Sequence, residues 1–307
     1  MNKKKNVYYA FFAIAVVCAA ATIIIAYMLV KDSLETNKGR DYYAALSSVA
    51  ESEPPTATPR PTPTPVPTVP GESAAPTPEP VEEDATEESI GFVEVIVEEE
   101  EPQPVFVPTM NFERISQTYP GVVGWIRLED TIINYPIMHG EDNDYFLHHL
   151  PDGTPHKMGS IFIDFRCKPD FSGRNTVIYG HHLKTGDMFT VFEQYKKGGQ
   201  KYYEEHPVVM LYTPEANYML MLFAGYVVEG AAPYLSIDFR DNDDIFTRYL
   251  GELRKRSVFK SEVEVGARDK IVSMVTCTYD FDNARFILVG KLVDVSFGRP
   301  ELSDLLE

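Results

Sequence analysis

Hydrophobic positions fall into three regimes along this chain. From Val7 to Val30 (VYYAFFAIAVVCAAATIIIAYMLV) 24 residues carry no charge, enough for about 36 Å of helix, which crosses a bilayer. Between Glu51 and Glu101 apolar residues thin out without periodicity. From Thr109 onward short runs rich in Val, Ile, Phe and Tyr alternate with turn residues, and they predict eight strands. These are Val122–Arg127, Ile132–Met138, Ser160–Phe165, Asn175–Tyr179, Val208–Thr213, Tyr218–Val228, Lys270–Cys277 and Arg285–Val295. Helical spacing is predicted at Asn111–Tyr119, Met188–Lys196 and Asp243–Arg256. In the last of these Ile245, Phe246, Tyr249, Leu250 and Leu253 share one face. Connections this short do not accommodate βαβ crossovers, so the expected fold is mainly β: an eight-stranded, mostly antiparallel barrel with inserted helices.

Three lysines, Lys3, Lys4 and Lys5, precede the uncharged run, which orients a membrane helix with its N-terminus in the cytoplasm and the rest of the chain outside. The run closes on Ile23, Ile24, Ile25, Tyr27, Met28 and Leu29 rather than on small residues, so an uncleaved anchor is expected. Eleven prolines lie in the 27 residues from Pro54 to Pro80. Such a stretch favours polyproline II and would act as a spacer of roughly 80 Å. Val81 to Glu101 then carries ten carboxylates and no basic residue, interrupted by the apolar insert Ile90–Val97. The expected division is an anchor over 1–30, a disordered extracellular linker over 31–108 and a catalytic domain over 109–307.

Charge narrows the partners. From Thr109 onward there are 21 basic and 29 acidic residues, a net of about −8, with no basic face of the kind nucleic acid requires. Cys18, Cys167 and Cys277 form no CxxC pair and no even framework, which argues against a disulfide-built fold. A free thiol in an extracellular domain calls for a chemical reason.

The segment IVSMVTCTYDFDNARFILVGKLV supplies one. Two β-prone runs flank the connection Thr278–Ala284, which reads as a hairpin that sets Cys277 at the end of one strand and Arg285 at the start of the next. A guanidinium beside a thiol favours the thiolate and can hydrogen-bond an oxyanion. Upstream, the apolar strand NTVIY runs into Gly180, His181 and His182, and a histidine at a strand end can serve as acid and base near neutral pH. Each feature has a plain structural alternative: a small buried Cys, an Arg paired across its turn with Asp280 or Asp282, and solvated loop histidines.

Taken together and in order, NTVIYGHHLKTGDMF and VTCTYDFDNAR resemble the histidine and cysteine–arginine signatures of the sortases, especially class B. The similarity extends through VVGWIRLEDTIINYPIMHGEDNDYFLHH and MGSIFIDFR, and so covers nearly all of residues 110 to 295. The family's Thr-Leu-x-Thr-Cys pattern stands here as Ser273-Met274-Val275-Thr276-Cys277, with two conservative departures. The resemblance implies a membrane-bound cysteine transpeptidase that cuts a sorting signal after Thr and passes the acyl group to an amine, with Cys277 as nucleophile, His181 as acid and base, and Arg285 at the oxyanion. It implies no metal and no cofactor. The expected partners are surface proteins bearing sorting signals, of which a proline-containing motif such as NPxTN fits class B, and an amine on a peptidoglycan precursor or cross-bridge. Asn143, Leu147, Tyr234, Leu235 and Thr276 match groove-lining positions, while His182 is read as a bystander and Cys167 as structural.

Two rival readings make different demands. Papain-like peptidases carry their Cys on a helix start and ahead of the His, the reverse of the order here. A non-enzymatic surface domain for adhesion or signalling would tolerate Cys277→Ala.

Overall fold

The uncharged N-terminal run becomes the first part of one long helix, α1 (Asn2–Ala50), in a computed structural model that describes residues 2–51, 109–229, 235–277 and 284–296. The Pro-rich and acidic stretch, the Ile90–Val97 insert, Tyr234, Asp280 and Asp282 lie outside these residues, and the Cys277 side chain is likewise not described. Residues 11–30 of α1 are exposed on every side, long and apolar enough to cross a membrane.

The second part of α1 departs from the expected linker. Thr36, Gly39, Tyr43, Leu46 and Ala50 are buried against the folded domain, at alternating spacings of three and four residues that define a single stripe along one helix face. Gly39 is needed for close approach, because a Cβ there would collide with Met158 and His156. Polar contacts reinforce the stripe: the Tyr43 hydroxyl donates to the Gly159 carbonyl at 2.5 Å, and Lys157 pairs with Asp32. The chain returns to the same place after the linker, since the Asn111 amide donates to the Ala50 carbonyl at 2.9 Å. The expected division at residue 31 therefore moves to about residue 51. The chain leaves the domain surface after Ala50 and is back beside it at Asn111.

The barrel is built from β1 (Val122–Arg127), β2 (Asn134–His139), β3 (Ile161–Ile163), β4 (Asn175–Tyr179), β5 (Val208–Tyr212), β6 (Asn217–Glu229), β7 (Ile271–Cys277) and β8 (Ala284–Asp294). They close in the order β1-β2-β3-β4-β7-β8-β6-β5. Six neighbouring pairs are antiparallel, and β2–β3 and β4–β7 are parallel. Side chains alternate along each strand, so neighbours enter different clusters. Ile126, Ile161 and Ile163 join one cluster, while Trp125 and Phe162 join another that also takes in Leu46 and Ala50 of α1. Trp125 is fully buried and its indole donates to the Asn134 side-chain oxygen at 2.6 Å.

Short helices fill the connections. In α2 (Phe112–Thr118) the Asn111 side chain caps the first turn by accepting from the Arg114 amide at 3.0 Å. The connection between β2 and β3 carries α3 (Tyr145–His148). The helix expected over Met188–Lys196 forms as a 3₁₀ turn (Phe189–Phe192) followed by α4 (Glu193–Lys197), and α5 (Gly199–Glu205) follows after a break at Gly199, which takes φ 57°. α6 (Asp243–Arg256) is capped by Asn242, with acidic residues in its first turn and basic ones in its last. It buries Phe246, Leu250 and Leu253, whereas Ile245, expected on that face, stays exposed.

Candidate active site

The ends of three adjacent strands build the site. β4 and β7 run parallel with Tyr179 opposite Val275, and the Gly180 amide continues the ladder by donating to the Val275 carbonyl at 3.1 Å. His181 and Cys277 each lie two residues beyond this last paired position. On the other side β7 and β8 pair antiparallel with Cys277 opposite Arg285. A sequence separation of almost a hundred residues between His181 and Cys277 is thus closed by one parallel strand pairing.

Gly180 serves this join through its size. A Cβ there would fall 2.6 Å from Ile161 Cδ1 and from the Phe189 ring, so the residue is glycine for close packing. Gly180→Ala is expected to destabilise the domain by about 1–3 kcal/mol through overpacking, read as a lower denaturant midpoint at unchanged m-value.

A groove of about 330 Å³ opens at this rim. Its walls include His181, Thr276 and Arg285 from the strand ends, and Asn143 and Leu147 from the β2–β3 connection, with Phe162 and Tyr179 beneath. Leu235 is elsewhere: it is half-buried and packs against the main hydrophobic core instead of lining this groove. Thr276 is 2 % exposed and its hydroxyl has no hydrogen-bond partner among the described residues.

His181 is held by a single strong contact, Nε2 to the Leu147 carbonyl at 2.6 Å. A carbonyl only accepts, so Nε2 carries the hydrogen and Nδ1 is the ring atom left to exchange a proton. Burial holds this imidazole below its ordinary value of 6.5; the Leu147 hydrogen bond opposes that shift and nearby His148 adds to it. The Arg285 guanidinium donates to the Ala284 carbonyl at 3.1 Å and has no ion-pair partner among the described residues.

One wall rests on a residue that sequence reasoning did not single out. The Asp164 side chain is fully buried, and it accepts from the Tyr179 hydroxyl at 3.0 Å, the Asn143 amide at 3.1 Å and the Arg166 guanidinium at 2.8 and 2.9 Å. Burial works to raise its carboxyl, but the hydrogen bonds and charge of Arg166 outweigh that and leave it below its usual value. Asn143 is further fixed by accepting from the Phe165 amide at 3.0 Å. Asp164 sits in the quoted MGSIFIDFR segment, but a lone Asp after a strand carries no signal of its own.

The remaining histidines have separate structural roles. His182 contacts Glu193 at 3.3 Å and is not part of the groove wall. His148 lies 3.7 Å from Asp144, and His149 stacks on Tyr145 at 4.1 Å. Among the described residues no group of three or more His, Cys, Asp or Glu could hold a metal ion. Buried Cys167 lies 3.7 Å from the Asn175 carbonyl.

A closed eight-stranded barrel with this rim defines a class. The sortase domain model matches residues 126–293, more than half of the chain, and the chain belongs to the sortase family. Within that family it is similar to sortase B. It is 34 % identical over 187 residues to sortase B of Staphylococcus aureus, spanning 60 % of this chain and 75 % of that protein. It is 36 % identical over 174 residues to sortase B of Listeria monocytogenes, spanning 56 % and 70 %. Among solved structures, a Staphylococcus aureus sortase B–substrate complex superposes with a TM-score of 0.57 at 33 % identity, covering 61 % of this chain and 86 % of that one. Sortase B of Clostridium perfringens superposes with a TM-score of 0.56 at 28 % identity, covering 60 % and 100 %. The protein is a cysteine transpeptidase of cell-wall sorting.

Proposed function

We propose that Cys277, His181 and Arg285 carry the transpeptidation, and that Asn143, Leu147 and Thr276 line the groove that receives the sorting peptide. The observation that supports this reading is the strand register, which pairs Tyr179 with Val275, two residues short of His181 and Cys277, and pairs residue 277 with residue 285. The Cys277 thiolate attacks the carbonyl of the sorting signal's Thr, and the Arg285 guanidinium hydrogen-bonds the oxygen as it becomes anionic. As the C–N bond breaks, His181 delivers its proton from Nδ1 to the departing amine and leaves a thioacyl enzyme. The acceptor amine then attacks the thioester, His181 takes its proton, and the thiolate is released as the new amide forms.

The donor in this reading is a surface protein with a proline-containing signal such as NPxTN, and the acceptor is an amine of a peptidoglycan precursor or cross-bridge. α1 anchors the enzyme with its lysine-bearing N-terminus in the cytoplasm and its barrel outside. The test is to incubate the full-length chain in detergent micelles with a library of sorting peptides and to search for a thioester by intact mass and peptide mapping. The expected result is one acyl adduct, on Cys277. A folded protein that gains none across the library, or gains it elsewhere, overturns the assignment.

A further inference from the structure

Residues 183–188, directly after the two histidines, form a loop held at its base. The Phe189 amide donates to the His181 carbonyl at 3.0 Å, and His182 bridges to Met188. Inside the loop the Gly186 amide reaches the Leu183 carbonyl at 3.0 Å. Met188 takes φ 56° and ψ −136°, a region that a residue with a side chain occupies only when its surroundings force it.

The Met188 amide donates to the Tyr135 hydroxyl of β2 at 3.3 Å, and the anchor helix holds the residues just before it. Arg40 of α1 donates through Nε and Nη2 to both carboxylate oxygens of Asp187, at 2.8 and 3.0 Å, and Nη2 also donates to the Thr185 carbonyl at 3.0 Å. The Asp187 side chain is 8 % exposed, and a planar guanidinium meeting a carboxylate edge-on fixes direction as well as distance. A cleft of about 530 Å³ opens beside this contact, with Tyr43, Tyr135 and Asp187 on its walls, and the Tyr43 and Tyr135 rings meet edge to face across it at 5.1 Å.

We propose that Arg40 is a positioning residue for the transpeptidase: by clasping Asp187 and Thr185 it fixes the loop that sets the His181 backbone, so the membrane helix is part of the catalytic unit. This rests on His181 being the acid and base proposed above. Loss of the clasp lets the loop relax and water reach the imidazole, which relieves the burial that depresses its proton affinity.

The experiment uses full-length protein in nanodiscs. His181 is titrated by NMR in protein labelled at histidine, and kcat and KM are measured on a soluble sorting peptide per active site titrated. In Arg40→Ala the His181 midpoint is expected to rise toward 6.5, with kcat about tenfold lower and KM within about twofold of wild type. Arg40→Lys is expected to recover part of both changes, since an ammonium can pair with Asp187 but cannot span the carboxylate and the Thr185 carbonyl together. Should Arg40→Ala fail to fold, Asp187→Asn, which keeps the side-chain shape, is expected to shift both readings in the same direction by less. A His181 midpoint and a kcat per site equal to wild type, whatever the melting temperature, overturn the clasp. Absence of peptide cleavage by the wild type would strike the site assignment instead, and the NMR titration still judges the clasp.

Discussion

Cys277→Ala is expected to abolish the thioacyl intermediate and to lower turnover by about 10⁴-fold or more, the scale set by removing a covalent nucleophile from an otherwise intact site. Backbone pairing of residue 277 with Arg285 uses main-chain groups that alanine also has, so the hairpin should form and the melting temperature should stay near that of wild type. The measurement is single-turnover cleavage of a sorting peptide alongside a thermal melt. Turnover above about 1 % of wild type in a folded variant would show that the acyl group never resides on this sulfur.

His181→Ala is expected to cost about 10²–10⁴-fold in kcat, the range for loss of a positioned acid–base group. The pH dependence carries more information than the loss itself. With the His181 proton affinity held below 6.5 by burial, the imidazolium is the minor form at neutral pH. The acid limb of kcat/KM should therefore show a midpoint below pH 6.5 in wild type that is lost in the variant; a wild-type midpoint at or above 6.5 would contradict the buried environment. The same shift bears on stability. A histidine whose folded value is lowered binds fewer protons than it does in the unfolded chain, so its contribution is intact above 6.5 and is lost as pH falls toward the folded value.

The barrel was readable from the sequence because its signals are local. Runs such as VVMLY and NYMLMLFAGYVVE combine β-branched and aromatic residues with flanking turns, and they appear as β5 and β6 within a residue or two of the expected bounds. The Cys277–Arg285 pairing was readable for the same reason, being a hairpin. Its relation to His181 was not, because it rests on the parallel β4–β7 pairing between segments far apart in the chain, and only the family resemblance brought the two together. The docked stripe of α1 escaped notice because Thr36, Gly39 and Ala50 contribute little hydropathy and sit among Asp32, Glu35, Lys38, Arg40 and Asp41.

One continuous helix carries both the long apolar run and the stripe that docks on the barrel, so no flexible joint lies between the two. Thr36 follows Val30 by six positions, about 9 Å of helical rise, so the first docked residue stands within two turns of the apolar run. Because Ala50 and Asn111 meet in a hydrogen bond, a change in the number of residues between them costs only the entropy of closing a loop, about 0.6 kcal/mol per doubling of its length.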